Sequence, residues 1–565
     1  MANSALKIDA QMGIDFSAFF ELFPGLIGRA TSVLARSCSS EGALDARRLD
    51  QHQVSSYELA LAYADYRAAM VAWDNAKVST VAADRELSRV YVATAIQSIR
   101  LRLEPLLSAF GIESREFDRV FSDESVRSGL QAVLAPKHLA ALGRAVIERQ
   151  GEVGDVEIDD EKGMMQSAFQ RLASDIVAPR AESIHRQDLT VPEEILEPLR
   201  EMGVFGISVP QQYGGIAPDE QADNLSMIVV TEALSEASLA AGGSLITRPE
   251  IMTRALLCGG TDAQKSHFLP QIASGEKLCG IAITEPDYGS DVAGLSLKAS
   301  PVKGGWVLNG AKSWCTFAGK ARLLFVIART NPDHSLGHRG LSALLVEKPS
   351  TEDHEFSFSQ ESGGRIAGKA IPTVGYRGMH SYDLVFEDYF VPAENLIGGP
   401  QGEGRGFYLA MQGLTGGRIQ TAARATGVMR AALRAAVRYA QDRKVFGAPL
   451  GDYQLSQAKL AKIAAQVAVS RYFTYGVGAL LDDGEGHMDA SLVKLFTCRA
   501  AEWVTREALQ IHGGMGYAEE TPVSRYFVDA RVLSIFEGAE ETLALKVIAR
   551  QLLQQALSEE DGETP

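Results

Sequence analysis

The stretch GWVLNGAKSWCTF, residues 305–317, lies between two long regions of helical pattern and has a different character from both. Its aromatic and aliphatic residues form short runs separated by Asn-Gly, which is typical of β-strands. Three later stretches have the same character: ARLLFVIART (321–330), GLSALLVEK (340–348) and DLVFEDYFVP (383–392). We therefore predict a β-domain over residues 281–397.

The sequence on both sides of this β-domain predicts helices. Apolar residues recur at three- and four-residue intervals in HQVSSYELALAYADYRAAMVAWDNA (52–76), LSRVYVATAIQSIRLRLEPLLSAFGI (87–112) and RIQTAARATGVMRAALRAAVRYAQDRK (418–444). The acidic, glycine-containing GEVGDVEIDDEKG (151–163) has no such period and indicates a boundary. The predicted fold is mainly α with a central β-domain, and its domains are an N-terminal helical extension (1–155), a second helical domain (156–280), the β-domain (281–397) and a helical bundle (398–565).

Composition excludes several classes of function. The chain has 565 residues, with 55 basic against 71 acidic side chains, a net charge of −16. Binding to nucleic acid or to an anionic membrane surface requires a basic face, which this balance opposes. The five cysteines show no CxxC pair and the ten histidines no HExxH pattern, so no metal site is predicted. The first 23 residues lack a signal-peptide pattern, and no uninterrupted apolar run approaches about 20 residues. These features predict a cytoplasmic protein without a membrane span.

Four short segments combine glycine, hydroxyl, aromatic and basic residues as ligand-binding loops do. They are ITEPDYGSD (283–291), KSWCTFAG (312–319), DRKVFG (442–447) and QIHGGMGY (510–517). Each also has an ordinary structural explanation: a β-turn, a core tryptophan, a basic helix C-terminus and a helix cap. The three glycines in QIHGGMGY exceed what a cap requires, which favours close approach of a ligand to the backbone.

Glu537 is the acid whose surroundings are least ordinary. In SIFEGAEETLALKVIAR (534–550) it lies between Phe536 and Gly538, directly before a segment with helical spacing. Two roles fit this position. A carboxylate at the start of a helix is stabilised by the helix dipole. A carboxylate beside an aromatic ring can also serve as a general base.

The order and spacing of these segments together resemble the acyl-CoA dehydrogenase family. TEPDYGSD, the Trp314–Cys315–Thr316 strand, RKVFG, QIHGGMGY and FEGAEET (536–542) stand in that family's order, and the resemblance spans residues 160–555. It implies a helical domain, a β-barrel domain and a C-terminal helical bundle, with FAD between the last two. It also implies a homo-oligomer, a dimer or a tetramer, and transfer of electrons to electron-transferring flavoprotein.

The resemblance also assigns residues to the cofactor. The residues expected at the flavin ring are Ile281, Ile283, Thr284, Trp314 and Thr316. Gly289 and Ser290 are expected near the phosphates and the acyl-CoA. The residues expected at the adenine and pyrophosphate of a neighbouring subunit's FAD are Arg443, Phe446, Gln510, Gly513 and Gly514.

Glu537 falls on the position of the family's catalytic base. The resemblance implies that it takes the α-proton of an acyl-CoA while the β-hydride moves to flavin N5. Two positions depart from the family pattern: Ala539 stands where a threonine is usual, and Thr415 stands upstream of Arg418, a substrate contact, where an aspartate is common.

Arg248, in SLITRPEIMTR (244–254), bears on the acyl group. In the resemblance it occupies a position where straight-chain enzymes place an apolar residue. A buried guanidinium requires a carboxylate partner, which predicts a dicarboxylyl-CoA substrate. The alternative is an arginine in a surface loop before Pro249.

Other interpretations of the whole chain remain open at this level. They are a short- or branched-chain acyl-CoA dehydrogenase, an acyl-CoA oxidase and a non-catalytic DNA-binding relative. The N-terminal extension is also compatible with a protein-docking module.

Overall fold

The computed structural model describes residues 14–560, and within them the backbone forms two compact units. Unit 1 contains the residues up to 157, residues 429–477 and the residues from 486 onward, whereas unit 2 contains residues 158–428 and 478–485. The chain passes from unit 1 to unit 2 within GEVGDVEIDDEKG. The four-domain division stays a prediction, and the signal-peptide prediction falls partly on residues 1–13, outside the described residues.

The N-terminal extension is helical, apart from one short hairpin. Its elements are α1 (Ser17–Ser37), β1 (Ser39–Ser40), β2 (Ala43–Leu44), α2 (Ala46–Gln51), α3 (Gln53–Val78), α4 (Ala82–Leu103), α5 (Ser114–Phe121), α6 (Glu124–Val133) and α7 (Pro136–Glu148). Asp84 on α4 accepts backbone hydrogen bonds from Gly154 and Asp155, both 3.1 Å, and a 3.0 Å bond from the Tyr472 hydroxyl. The end of the extension is thereby tied to the rest of unit 1.

Helix α1 is the most apolar element of the extension. Among residues 14–560 it is the one helix that is long and apolar enough to span a membrane. It has 21 residues, and its most apolar 18-residue stretch has a mean hydropathy of 1.2. Its Phe19 and Phe23 rings stack at 5.0 Å and contact the rings of Tyr66 and Phe121. These contacts are those of a helix packed into an aromatic core.

Unit 2 begins with short helices. They are α8 (Asp160–Leu172), α9 (Ala178–Arg186), α10 (Glu193–Glu201), α11 (Asn224–Ala237), α12 (Thr247–Gly259) and α13 (Asp262–Ala273). Asp223 caps α11, and Thr261 forms a capping box with Gln264 at the start of α13. These caps satisfy backbone donors that a helix start leaves unpaired.

The β-sheet of unit 2 has eight strands. They are β3 (Cys279–Ala282), β4 (Lys298–Val302), β5 (Gly305–Thr316), β6 (Leu323–Arg329), β7 (Leu341–Glu347), β8 (Glu355–Ser359), β9 (Arg365–Ala370) and β10 (Ser381–Pro392). Their order is β3-β6-β4-β5-β10-β9-β8, with β7 also paired to β6. All seven residues of β6 are buried, as expected for a strand covered on both faces.

Long helices dominate the remainder. They and their short connecting strands are α14 (Gly406–Asp442), β11 (Lys444–Val445), β12 (Ala448–Pro449), α15 (Gln454–Asp482), α16 (His487–His512), α17 (Pro522–Val532), α18 (Glu540–Thr542) and α19 (Arg550–Glu560). A π-helical segment, Leu543–Ala549, joins α18 to α19. The order helical, helical, strands, helical agrees with the sequence prediction.

Candidate functional site

In unit 2, a buried ion pair joins two of the predicted ligand segments. Lys312 Nζ lies 2.8 Å from the Glu285 carboxylate and donates to the Ile283 carbonyl at 2.7 Å. The carboxylate also accepts backbone N–H bonds from Ser296 (2.7 Å) and Leu297 (2.8 Å). Burial opposes ionisation of both groups and lowers the pKa of Lys312, but Lys312 and the N–H donors lower the pKa of Glu285. The pair holds ITEPDYGSD against β5.

Trp314 lies at a β-bulge in β5. Tyr382 on β10 pairs with Cys315 and Leu384 with Lys312, so Ser313 and Trp314 together face Asp383 alone. Trp314 has a φ of 57° and its side chain is 56% exposed. Bulges at the edge of a functional site redirect a side chain. The indole is thus available to stack on a planar ligand, and the Thr316 hydroxyl, 2.9 Å from that of Ser381, lies two residues further on.

The other unit 2 residues assigned to the cofactor lie on and after β3. Ile281, Ile283 and Thr284 are half-buried, whereas Gly289 and Ser290 are exposed in the loop that Glu285 anchors. A Cβ added at Gly289 would meet no atom within 4 Å. The backbone there is open to a ligand, and glycine is not required by packing within the chain.

Arg248 is buried, not in a surface loop. It lies in the first turn of α12 and is 5% exposed. Its Nη1 donates to the Ser244 carbonyl at 2.9 Å and to the Tyr376 hydroxyl at 3.1 Å. Both acceptors are neutral, and within the part of the chain that the structure describes no carboxylate lies within 4.0 Å of this guanidinium. The surface-loop alternative is therefore wrong.

Arg418 and Arg424 lie on α14. Arg418, assigned to the substrate, is half-buried, and burial lowers its pKa from the ordinary arginine value. Arg424 is fully buried and donates to the Ser244 hydroxyl at 3.3 Å, so Ser244 contacts two arginines through different oxygens. Sequence analysis did not single out Arg424, because helical spacing does not distinguish a buried arginine from a solvated one.

In unit 1, Glu537 occupies a strained turn between α17 and α18. Its φ is 53°, in the left-handed region, and Gly538 follows with a φ of 101°. Such backbone conformations cost about 1–3 kcal/mol for a residue other than glycine and persist where the surroundings impose them. Phe536 and Glu537 are half-buried, whereas Ile535 is 54% exposed. Glu537 does not begin α18, which starts three residues later.

Several polar contacts hold this turn. The Glu540 N–H donates to the Ser534 carbonyl at 3.0 Å, and buried Lys494 on α16 donates to the Gly538 carbonyl at 2.7 Å. The Glu540 carboxylate lies 2.5 Å from Arg499 and accepts a hydrogen bond from the Tyr57 hydroxyl of α3. Ala539 is the N-cap residue of α18 and supplies no side-chain cap.

RKVFG forms a tight hairpin after α14. Lys444 pairs with Pro449 and Val445 with Ala448, which places Phe446 and Gly447 at the tip. Phe446 is 99% exposed with a φ of 49°. The preceding Arg443 is also exposed. An apolar ring fully exposed on a single chain is suited to contact with another molecule.

QIHGGMGY ends α16. His512 is buried, bonds the Ala508 carbonyl through Nδ1 at 2.7 Å and stacks on Tyr439, as a structural histidine does. A Cβ at Gly516 would lie 2.3 Å from the Leu509 carbonyl oxygen, so packing requires glycine there. A Cβ at Gly513 or Gly514 would meet nothing within 4 Å. Gln510 is exposed beside these two open glycines.

One cluster with metal-ligand chemistry lies outside these segments. Asp188, His354 and His380 offer ligand atoms within 4.8 Å of one another. His380 Nε2 lies 3.1 Å and Arg377 Nε 3.5 Å from the same Asp188 carboxylate oxygen. This carboxylate already has a cationic partner in the chain.

Three comparisons relate the chain to known proteins. Residues 159–276, 280–389 and 404–553 match the N-terminal, middle and C-terminal domain models of acyl-CoA dehydrogenase. The (2S)-methylsuccinyl-CoA dehydrogenase of Cereibacter sphaeroides is 36% identical over 539 residues, covering 94% of this chain and 96% of its own. An acyl-CoA dehydrogenase of Bacillus subtilis (strain 168) is 35% identical over 70% of this chain and 99% of its own.

A solved structure gives the same relationship. Butyryl-CoA dehydrogenase from Megasphaera elsdenii superposes with a TM-score of 0.64 at 31% identity, covering 71% of this chain and all of that one. The predicted fold class is thereby confirmed.

The residues present fit a flavin cofactor. In unit 2 an exposed indole and a hydroxyl lie two residues apart on β5, and Gly289 has an open backbone in the loop that Glu285 anchors. In unit 1 the open Gly513 and Gly514 lie beside Gln510. FAD, which the family binds, is the predicted cofactor and is confirmed as such. Because three domain models match and one relative aligns over almost its whole length, the chain belongs to the acyl-CoA dehydrogenase family and is an FAD-dependent oxidoreductase.

Proposed function

We propose that the enzyme oxidises (2S)-methylsuccinyl-CoA to mesaconyl-CoA, the reaction of the ethylmalonyl-CoA pathway, with Glu537 as the base. Arg248 is the observation that carries this proposal. The Cereibacter relative supports it, because that match covers 94% of the chain and so includes most of the extension, whereas the Bacillus match covers 70%.

Arg248 favours a substrate that brings its own carboxylate. An arginine stays ionised when buried, and burying its charge without a carboxylate costs several kcal/mol, on the order of the penalty for any unpaired buried ion. The first turn of a helix adds to this cost, because the helix dipole is positive there. Two neutral acceptors leave part of the guanidinium fork for a ligand. The distal carboxylate of methylsuccinyl-CoA has the bidentate geometry that matches this fork.

Glu537 would take the α-proton of the thioester. Glu537 follows Phe536 in the chain, and the peptide N–H of Glu537 would donate to the thioester carbonyl as negative charge develops there. FAD, when bound, would supply the acceptor for the β-hydride. Trp314 and Thr316 would orient the flavin ring, and Ile281, Ile283 and Thr284 would cover one side of it. Ser290 and Arg418 would contact the acyl-CoA.

The partners follow from the same proposal. Electrons would leave through electron-transferring flavoprotein in the cytoplasm. The exposed Phe446 and Arg443, with Gln510, Gly513 and Gly514, would contact FAD of a neighbouring subunit in a homo-oligomer, either a dimer or a tetramer. Neither nucleic acid nor a membrane is a proposed partner, because the net charge of −16 opposes both.

The test is anaerobic mixing of the FAD-loaded enzyme with a panel of CoA esters while flavin absorbance at about 450 nm is followed. Methylsuccinyl-CoA should bleach the flavin fastest, and Glu537→Gln should keep FAD but slow bleaching by about 10²- to 10⁴-fold, as expected when a general base is lost. Glu541→Gln, an exposed neighbour in α18, is the matched control and should bleach normally.

Other outcomes separate the alternatives. If no CoA ester bleaches the flavin, the dehydrogenase proposal fails. Preference for butyryl-CoA would indicate a short- or branched-chain enzyme. Peroxide formation in air, at the same rate as flavin bleaching, would indicate an acyl-CoA oxidase. DNA binding without flavin bleaching would indicate a non-catalytic relative.

A further inference from the structure

The N-terminal extension contacts the segment that follows Glu537. Helix α3 packs against the π-helical Leu543–Ala549, and α1 packs against α19. The Lys546 ammonium lies 2.8 Å from Asp50, near the end of α2. Both partners in this ion pair are about half exposed, so the pair contributes little to stability. The more consequential contact is at Glu540.

Tyr57 and Arg499 converge on the carboxylate of Glu540. Tyr57 comes from α3 in the extension, and its hydroxyl donates to this carboxylate. Arg499 Nη1 lies 2.5 Å from the same oxygen and 3.4 Å from the Tyr57 hydroxyl. Burial and the Glu540 carboxylate raise the pKa of Tyr57 to about 12, so the phenol remains a donor throughout the working pH range.

The turn that these contacts hold needs external support. Glu537 has a left-handed backbone, and the N-cap residue of α18, Ala539, supplies no side-chain cap, which costs about 0.5–2 kcal/mol relative to a capped start. The Glu540 N–H closes the turn onto the Ser534 carbonyl. Glu540 is thus the C-terminal anchor of the seven-residue segment that carries Glu537, and its side chain is fixed from another part of the chain.

We propose that Tyr57 is a positioning residue for the reaction: through Glu540, the N-terminal extension holds the Ser534–Glu540 turn in the geometry that aims Glu537 at the α-carbon. This inference rests on the proposed role of Glu537. Removing the hydroxyl takes away one of the two side-chain donors to this Glu540 oxygen and leaves Arg499. The turn then samples other conformations, and the misplacement of a reacting group by about 1 Å can cost on the order of 10²-fold in rate.

The experiment compares Tyr57→Phe with Asp50→Asn in the full-length, FAD-loaded enzyme. Both substitutions remove one contact between the extension and the C-terminal helices, but only the first contact lies on the catalytic turn. For Tyr57→Phe we expect flavin bleaching to slow by about 10- to 100-fold with KM unchanged. The kinetic isotope effect with α-deuterated substrate should rise, because proton abstraction becomes more rate-limiting. Asp50→Asn should bleach within about twofold of the wild-type rate, as for an exposed ion pair.

Three results would overturn the inference. The first is flavin bleaching by Tyr57→Phe within twofold of the wild-type rate, and the second is an equal loss of bleaching rate in Asp50→Asn. The third is a slower rate in Tyr57→Phe accompanied by release of FAD or by a fall in Tm beyond about 5 °C, which indicates general destabilisation. The Glu537→Gln variant separates this failure from that of the proposed function. If Glu537→Gln is inactive and Tyr57→Phe has normal activity, only the positioning role of Tyr57 is wrong. If Glu537→Gln is active, Glu537 is not the base and the proposed mechanism is wrong.

Discussion

Two arginines, half-buried Arg499 in unit 1 and buried Arg248 in unit 2, have opposite kinds of partner. Arg499 in unit 1 has a carboxylate of the chain, Glu540, at 2.5 Å. Arg248 in unit 2 contacts a backbone carbonyl and a phenol, although it is 5% exposed and lies at the positive end of a helix. A cation that the chain neutralises itself holds structure together. A cation that the chain leaves without a carboxylate favours a ligand that supplies one.

The largest expected effect is on substrate choice at Arg248. In Arg248→Met, kcat/KM for methylsuccinyl-CoA should fall about 10²- to 10³-fold, because a buried charge pair contributes about 2–5 kcal/mol to binding. Turnover of butyryl-CoA should change less than about threefold, and the Tm of the substrate-free enzyme should stay equal or rise, since an unpaired buried cation is removed.

Arg248→Lys provides a graded control for this prediction. It keeps the charge but loses the planar fork, so its kcat/KM should lie between those of wild type and Arg248→Met. Steady-state kinetics with both CoA esters measures the effect. An equal loss for butyryl-CoA and methylsuccinyl-CoA would show that Arg248 supports the fold and not the distal carboxylate.

At Arg499 we expect a smaller effect, on stability instead of substrate choice. Arg499→Met leaves the Glu540 carboxylate with Tyr57 as its hydrogen-bond donor and lowers Tm by about 2–5 °C, because the remaining charge is partly buried. The loss is limited because the side chains of Arg499 and Glu540 are 35% and 18% exposed and solvent screens the pair. Thermal unfolding of the FAD-loaded proteins checks it. If Arg248→Met lost more stability than Arg499→Met, the contrast between the two arginines would be wrong.

The smallest expected effect concerns another buried cation, Lys348, which unlike arginine can lose its proton. Its ammonium donates to the Gly319 and Pro349 carbonyls, and no carboxylate within the described residues lies within 4.0 Å of it. Burial lowers the pKa of Lys348 from its ordinary 10.5 to about 7. Between pH 7 and 10.5 the unfolded chain therefore binds more protons at this lysine than the folded chain does. Lys348 makes the free energy of unfolding rise with pH across that window, and the cost of burying its charged form is fully present below pH 7.

Lys348→Met should abolish this slope. Between pH 7 and 9 the wild-type protein should gain about 1–2 kcal/mol, or about 2–4 °C in Tm, relative to Lys348→Met. Lys369→Met, at an exposed strand position, should keep the wild-type slope. Parallel curves for wild type and Lys348→Met would mean that the Phe356 ring, 4.8 Å from Nζ, keeps the ammonium charged.

The sequence predicted the elements well where local pattern decides them. The apolar runs from 305 to 392 became β5, β6, β7 and β10, and the three- and four-residue periods became α3, α4 and α14. It did not predict the bulge at Ser313–Trp314, because two-residue alternation carries no sign of an extra residue. It left Arg248 undecided between a pocket and a surface loop, because burial depends on Tyr376, 128 residues further along the chain.

The sequence by itself determined the order of helices and strands, the family motifs and Glu537 as the candidate base, because hydrogen bonds within helices, turn chemistry and motif spacing are local. Only the tertiary structure decided which charges are compensated. Glu285 is matched by Lys312 and Glu540 by Arg499 and Tyr57, the latter 483 residues away, whereas Arg248 has neutral partners. Charge compensation is a property of what packs around a group, and distant segments supply it.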